Sequence, residues 1–170
     1  MANSKNQDEY TLSIASVSQK VQVPIEVAFE YIVPIPLSLI FKGNQSVPAI
    51  VKTDEQAKWI TPGLSRTVTW ADGNTAQETL LTVETPRTFS YRIQNFTSNL
   101  KNLIDKIQGE WIFTETEDGG VQIDWKYVMY PFNDEAKNTI DENVLGGFQS
   151  VLEDAIAIIK ANLESGKIDY

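Results

Sequence analysis

The chain has 170 residues, 42% of them hydrophobic, a size and composition suited to one domain with a single core. Its 14 Lys and Arg stand against 23 Asp and Glu, a formal net charge of −9, and no basic cluster reverses that balance locally, so nucleic acid is not an expected partner. Cysteine and histidine are both absent, which excludes disulfides, thiol nucleophiles, His-dependent triads and nearly every zinc site.

The opening "MANSKNQDEY" is polar, and about ten N-terminal residues are expected to be flexible. It lacks the basic-then-apolar pattern of a signal peptide, and no apolar run approaches the ~18 residues that span a membrane. A cytoplasmic protein without integral membrane association is expected, with residues 1–170 forming one domain. The sequons at Asn44 and Asn95 then carry no meaning, because glycosylation needs a secreted chain.

Leu12 to Val23 reads as a strand, alternating clearly in "VSQKVQV". Pro24 opens a helix, and "PIEVAFEYI" places Ile25, Ala28, Phe29 and Ile32 on one face. Pro34 and Pro36 end it, and "LSLIF" suggests a second short helix. Strands follow at "AIVKTDEQ" (weak), "LSRTVTW", "TAQETLLTVE", "RTFSYRI", "GEWIFTET" and "VQIDWKYVMY". Between them "SNLKNLIDKI" fits either a short lid helix or an irregular lead into the next strand. Asn133 to Glu164 reads as one long helix with an apolar stripe of Val144, Phe148, Val151, Leu152, Ala155, Ile158 and Ile159. Gly146-Gly147 inside it suggests a kink or a late start, the alternative being a flexible entrance segment. "LGGFQS" and "EDGGVQ" lack the spacing of phosphate-binding loops.

This order is α+β: a curved antiparallel sheet wrapped around a long C-terminal helix, with two short helices after the first strand. In order and spacing, "VQVPIEVAFEYI", "PGLSRTVTWADGNTAQETLL", "TFSYRI", "WKYVMYPF" and the last helix resemble the START-like, or SRPBCC, superfamily of helix-grip proteins. That group includes pollen-allergen-type proteins and polyketide cyclases. The glycine run of the plant allergens is missing, since "ADGNT" has one Gly, so the chain looks like a compact bacterial-type member. The resemblance implies a hydrophobic cavity and small-molecule binding. It leaves ligand and activity open.

Arg66 shares a strand face with Val68 and Trp70, so a cation points where the core should be. If Ala71-Asp72-Gly73 is a three-residue loop, Arg66 pairs across the hairpin with Glu78, on the face of Leu80. A two-residue Asp72-Gly73 turn would send Glu78 to the other face. The resemblance favours the first. Leu81 and Val83 would then point outward, which calls for a bulge near Leu80 or cover from elsewhere. The pair itself is either a structural salt bridge near the sheet edge or a polar contact for a ligand.

Alternation also aims Phe89, Tyr91, Trp111, Phe113, Trp125 and Tyr127 at one space. Each alone fits core packing; as a set they have the composition of a ligand pocket. With Phe148 and Leu152 from the helix, these residues and Arg66, Val68, Trp70, Glu78 and Leu80 form the expected ligand-binding set. A cavity of about 300–1,000 Å³ is expected, lined by Val68, Trp70, Tyr91, Trp111, Trp125 and Phe148.

Three functions compete. The first is a carrier or sensor of a small hydrophobic molecule with a polar end. The second is a cyclase/dehydratase-like enzyme without metal, in which Arg66 polarises a carbonyl and Glu78 or Tyr91 moves a proton. The third is a co-chaperone-like interaction module, which predicts a filled core and a large exposed apolar patch. No cofactor or metal is expected, and the oligomeric state stays open.

Overall fold

The computed structural model describes residues 11–170, and the N-terminal stretch expected to be flexible lies outside them. Seven strands form one antiparallel sheet: β1 (Ser13–Val21), β2 (Ile50–Thr53), β3 (Ser65–Trp70), β4 (Thr75–Glu84), β5 (Thr88–Gln94), β6 (Ile104–Glu115) and β7 (Val121–Pro131). Their spatial order is β1-β7-β6-β5-β4-β3-β2, so the first strand closes beside the last and the short β2 forms the opposite edge. Helix α1 (Ile25–Ile32) follows β1, and α2 (Asp134–Asn143) and α3 (Leu145–Ser165) close the chain. This is the expected α+β helix-grip architecture.

Period-two burial sets the sheet's inner face. Val68, Ala76, Leu80, Phe89, Tyr91, Ile93, Trp111, Phe113, Ile123, Trp125, Tyr127 and Met129 are all buried. Helix α3 covers that face with Val151, Leu152, Ala155, Ile156, Ile159 and Leu163. Ile156 belongs to its buried stripe, whereas Val144, Phe148 and Ile158 pack only partly against the core. Helix α3 also ties down the edge strand β1, whose outer backbone groups would otherwise template another chain. Gln149 accepts from the Ser16 N–H at 3.0 Å and donates to the Ser16 carbonyl at 2.7 Å. Glu164 accepts from the Gln22 N–H, and Lys160 donates to the Lys20 carbonyl.

Three local readings change. The single long helix is two, broken at Val144, whose ψ of −46° is helical but whose φ of −119° is not. The break precedes the glycine pair, and Gly147 serves a contact instead: a side chain there would press on Ser46 and Val47, whose loop packs against the helix. "LSLIF" makes only a 3-10 turn, Leu37–Leu39. "SNLKNLIDKI" holds a 3-10 turn, Asn99–Asn102, and then β6, which begins at Ile104 and not near Gly109. The apolar spacing that imitates a helix there buries Ile104 and Ile107 in a strand irregular between them.

Candidate functional site

The β3–β4 hairpin turns through the three-residue loop. Trp70 N–H donates to the Asn74 carbonyl at 2.9 Å, and Gly73 takes φ of +85°, the left-handed position such a loop needs. Arg66 therefore lies opposite Glu78 and Val68 opposite Ala76. The outward drift beyond Leu80 ends in a bulge, as the β4–β5 register shifts between Leu80 and Thr82.

Both members of the pair are 3% exposed, so the bridge is interior and not a solvated rim contact. Arg66 Nε and Nη2 donate to the same Glu78 oxygen, Oε1, at 3.0 and 2.6 Å. Nη1 turns to Glu55 Oε1 at 3.0 Å, and the indole of Trp59 covers the guanidinium face at 4.0 Å. Two carboxylates thus share one cation. Burial pushes the Glu78 carboxyl up, with Arg66 opposing and Glu55 adding to the rise. Burial resists ionisation of Glu55 too, but bonds from Thr53, its own backbone and Arg66 hold it below the usual range.

Tyr91 reaches across the sheet to accept a hydrogen bond from Trp125 Nε1 at 3.0 Å. Burial, then the charge of Glu78, drives its phenol far above the ordinary value. Burial does the same to Tyr127, helped by Tyr91 and Glu78. Both phenols are therefore protonated at neutral pH, and each is an O–H group that can donate as well as accept. Trp111 lies flat on Trp125 with ring centroids 4.1 Å apart, and Phe89 stacks on Trp111 at 5.5 Å.

This packing corrects the expected cavity. The space between helix and sheet is nearly filled: two inner voids hold about 20 Å³ each. Stacked aromatics occupy one side, and the segment from Ile32 to Phe41 presses in from the other. A pocket of about 420 Å³ lies further out, between the Ser46–Pro48 loop, Trp70, Phe96, Leu100, Leu103 and Phe148. Of the six residues expected to line one cavity, Tyr91, Trp111 and Trp125 border the innermost void. Val68, Trp70 and Phe148 border the second, and the latter two reach the outer pocket.

The voids form a row. The outer pocket shares Val47, Pro48, Trp70, Phe96 and Phe148 with the middle void. The middle void shares Leu37, Phe41, Glu78 and Tyr127 with the innermost one, which also touches Arg66, Trp59 and Phe89. Leu80, Phe113 and Leu152, also in the expected set, are packed in the core and line none of the three. Sequence reasoning missed Glu55 and Trp59. Both lie in the loop between β2 and β3, and a lone Trp in the polar stretch "TDEQAKWITPG" was the one signal of a residue folded inward.

Residues 14–164 match the family described as polyketide cyclase / dehydrase and lipid transport, and the chain belongs to it. A protein from Nitrosospira multiformis superposes with a TM-score of 0.67 at 15% identity, covering 91% of this chain and 99% of that one. Major latex-like protein 151 from Panax ginseng gives 0.66 at 13% identity, over 89% and 97% of the two chains. A norcoclaurine synthase point mutant from Thalictrum flavum, in complex with a transition state analogue, gives 0.68 at 12%, over 92% and 96%. At such identities the likeness shows the helix-grip fold. No curated protein sequence matches the chain. Among the described residues no helix is long and apolar enough to cross a membrane.

Proposed function

We propose that the protein binds a small hydrophobic molecule with a polar end, as a carrier or sensor. The apolar body sits in the outer pocket and the polar end is directed inward at Glu78 and Tyr127. One observation carries this reading: a buried charged centre stands at the inner end of a row of voids whose outer member is large and combines an apolar wall (Trp70, Phe96, Leu100, Leu103, Phe148) with polar groups such as Asp72, Asn74 and Asn143. An interior ion pair is weak support for stability, because hydrocarbon of equal volume is often as good or better. A ligand gives it a reason to be there. The two inner voids widen on binding through movement of the Ser46–Pro48 loop, which borders the outer pocket, or of the Leu37–Phe41 segment, which lines the inner voids.

The cyclase-like reading asks Arg66 to polarise a carbonyl, but its nitrogens already serve Glu78 and Glu55. Tyr91, its phenol pushed high by burial and by Glu78, stays protonated at neutral pH and offers no phenolate base. For an interaction module, the exposed apolar residues are scattered, with Ile14 on β1, Val51 on β2 and Ile112 on β6. Binding without chemistry is the better fit.

Native mass spectrometry of the protein as purified tests this. A discrete added mass that denaturation releases supports the binder, as does calorimetric titration with a medium-chain alcohol that saturates at one site. Neither a co-purifying mass nor saturable uptake of any apolar alcohol, amine or acid would overturn it.

A further inference from the structure

We propose that Glu55 sets the chemical class of the ligand, excluding carboxylates and admitting molecules whose polar end is a hydroxyl or a protonated amine. This rests on the binding reading above and adds the sign of the charge that the site accepts.

The Arg66 guanidinium turns its Nε–Nη2 edge to Glu78 and its Nη1 to Glu55, while the Trp59 indole covers one of its planar faces. A fatty-acid carboxylate seeks a two-pronged bond to an open guanidinium edge, and both carboxylates of the protein stand in its way. Charge counting points the same direction. Arg66 and Glu78 border the innermost void, and Glu55 meets Arg66 from behind it, so one cation is shared by two carboxylates and the centre carries a surplus negative charge when both are ionised. Burial that protonates Glu78 leaves the centre neutral at most. Among the described residues no lysine lines any of the three voids, and Arg66 is the one cation that does. The outer pocket adds Asp72, whose carboxyl is held below its usual range by bonds from Asn74.

Glu55 is the group that tips the balance. Without it, Arg66 and Glu78 would be a matched pair with Nη1 open to an anion. The first oxygen of Glu55 is held by Arg66, whereas its second, Oε2, is buried without a hydrogen-bond partner, so no donor screens that oxygen. Toward the void the protein offers the carboxyl of Glu78 and the phenol of Tyr127, an acceptor and a donor suited to a hydroxyl. The same carboxyl suits an ammonium.

The test is calorimetric titration at neutral pH with three probes that share one tail: octanol, octylamine and octanoate. Wild-type protein should bind octanol and octylamine at least about ten-fold more tightly than octanoate, a difference of about 1.4 kcal/mol. The Glu55→Gln variant keeps the side chain's shape and should narrow that ratio several-fold, mainly by improving octanoate. Glu55→Ala provides a second route to the same shift, and thermal melting confirms that each variant is folded. The control is Glu117→Gln, which removes one exposed surface charge and should leave the ratio unchanged. Octanoate binding as tightly as octanol, or a ratio insensitive to Glu55→Gln, overturns this inference while the binding reading stands. Failure of all three probes to bind removes both.

Discussion

Gly109 lies beneath the ring of Tyr91. The two residues are cross-strand partners on β6 and β5, and a methyl group at Gly109 would overlap the phenol. The missing side chain lets the ring lie flat across β6, so that its hydroxyl meets Trp125 on β7. A glycine in mid-strand ordinarily weakens a sheet; here it marks a close approach.

Gly109→Ala should therefore destabilise the fold by about 1–3 kcal/mol, the usual cost of overpacking. Tyr91 is hemmed by Phe89 and Tyr127, so the strain has no easy outlet. Urea unfolding measures the loss. A variant as stable as the wild type would mean that the ring swings aside freely.

Removing one member of the central pair should cost more than removing both. Arg66→Met strands the buried Glu78 and should lose about 3–5 kcal/mol. The double variant Arg66→Met/Glu78→Leu should recover more than half of that, because no charge is left at full burial. Unfolding of the single and double variants in urea supplies the comparison, and additive losses would contradict it.

The two carboxylates should respond oppositely to pH. The folded value of Glu78 lies above its unfolded reference of 4.5, so between the two the folded chain holds a proton that the unfolded chain has released. Acidification from neutrality toward 4.5 should then stabilise wild type relative to Glu78→Gln. The folded value of Glu55 lies below 4.5, so its contribution is present above that pH and is lost on further acidification. Melting temperatures across that range, measured for wild type and each Gln variant, check both slopes.

Gln149 should protect the sheet edge. Its amide satisfies both the N–H and the carbonyl of Ser16, so Gln149→Ala leaves them to solvent. The loss in global stability should be small, about 1 kcal/mol. Hydrogen exchange at the Ser16 amide should accelerate well beyond what that loss explains, and unchanged exchange would show that β1 needs no such lock.

Much of this was legible because it follows from alternation and turn chemistry. A period of two puts Arg66 on the apolar face, the resemblance selects the three-residue loop that sets it against Glu78, and the outward drift of Leu81 called for a bulge or outside cover, of which the bulge is found. What was not legible depends on loops and side-chain volume. Glu55 and Trp59 carry no periodic signal and reach the centre only through the path of the β2–β3 connection. The filled interior arises from Trp111 closing on Trp125 and from the Ile32–Phe41 segment, and strand patterns record direction without depth. The glycine pair signalled a kink or a late start, and the last helix does begin late, at Leu145; the break itself falls at Val144, and Gly147 answers to the Ser46 loop.

The placement of the indoles has an optical consequence. The chain has four tryptophans, and every one borders the row of voids: Trp59, Trp111 and Trp125 around the inner end, Trp70 at the mouth. Trp111 and Trp125 are near-parallel at 17°, close enough for their excited states to couple. The protein's tryptophan emission and the indole part of its near-ultraviolet dichroism therefore originate along a single path. Whatever enters that path and parts the stacked rings announces itself as a change of colour in an unlabelled molecule, while events on the outer face of the sheet stay dark.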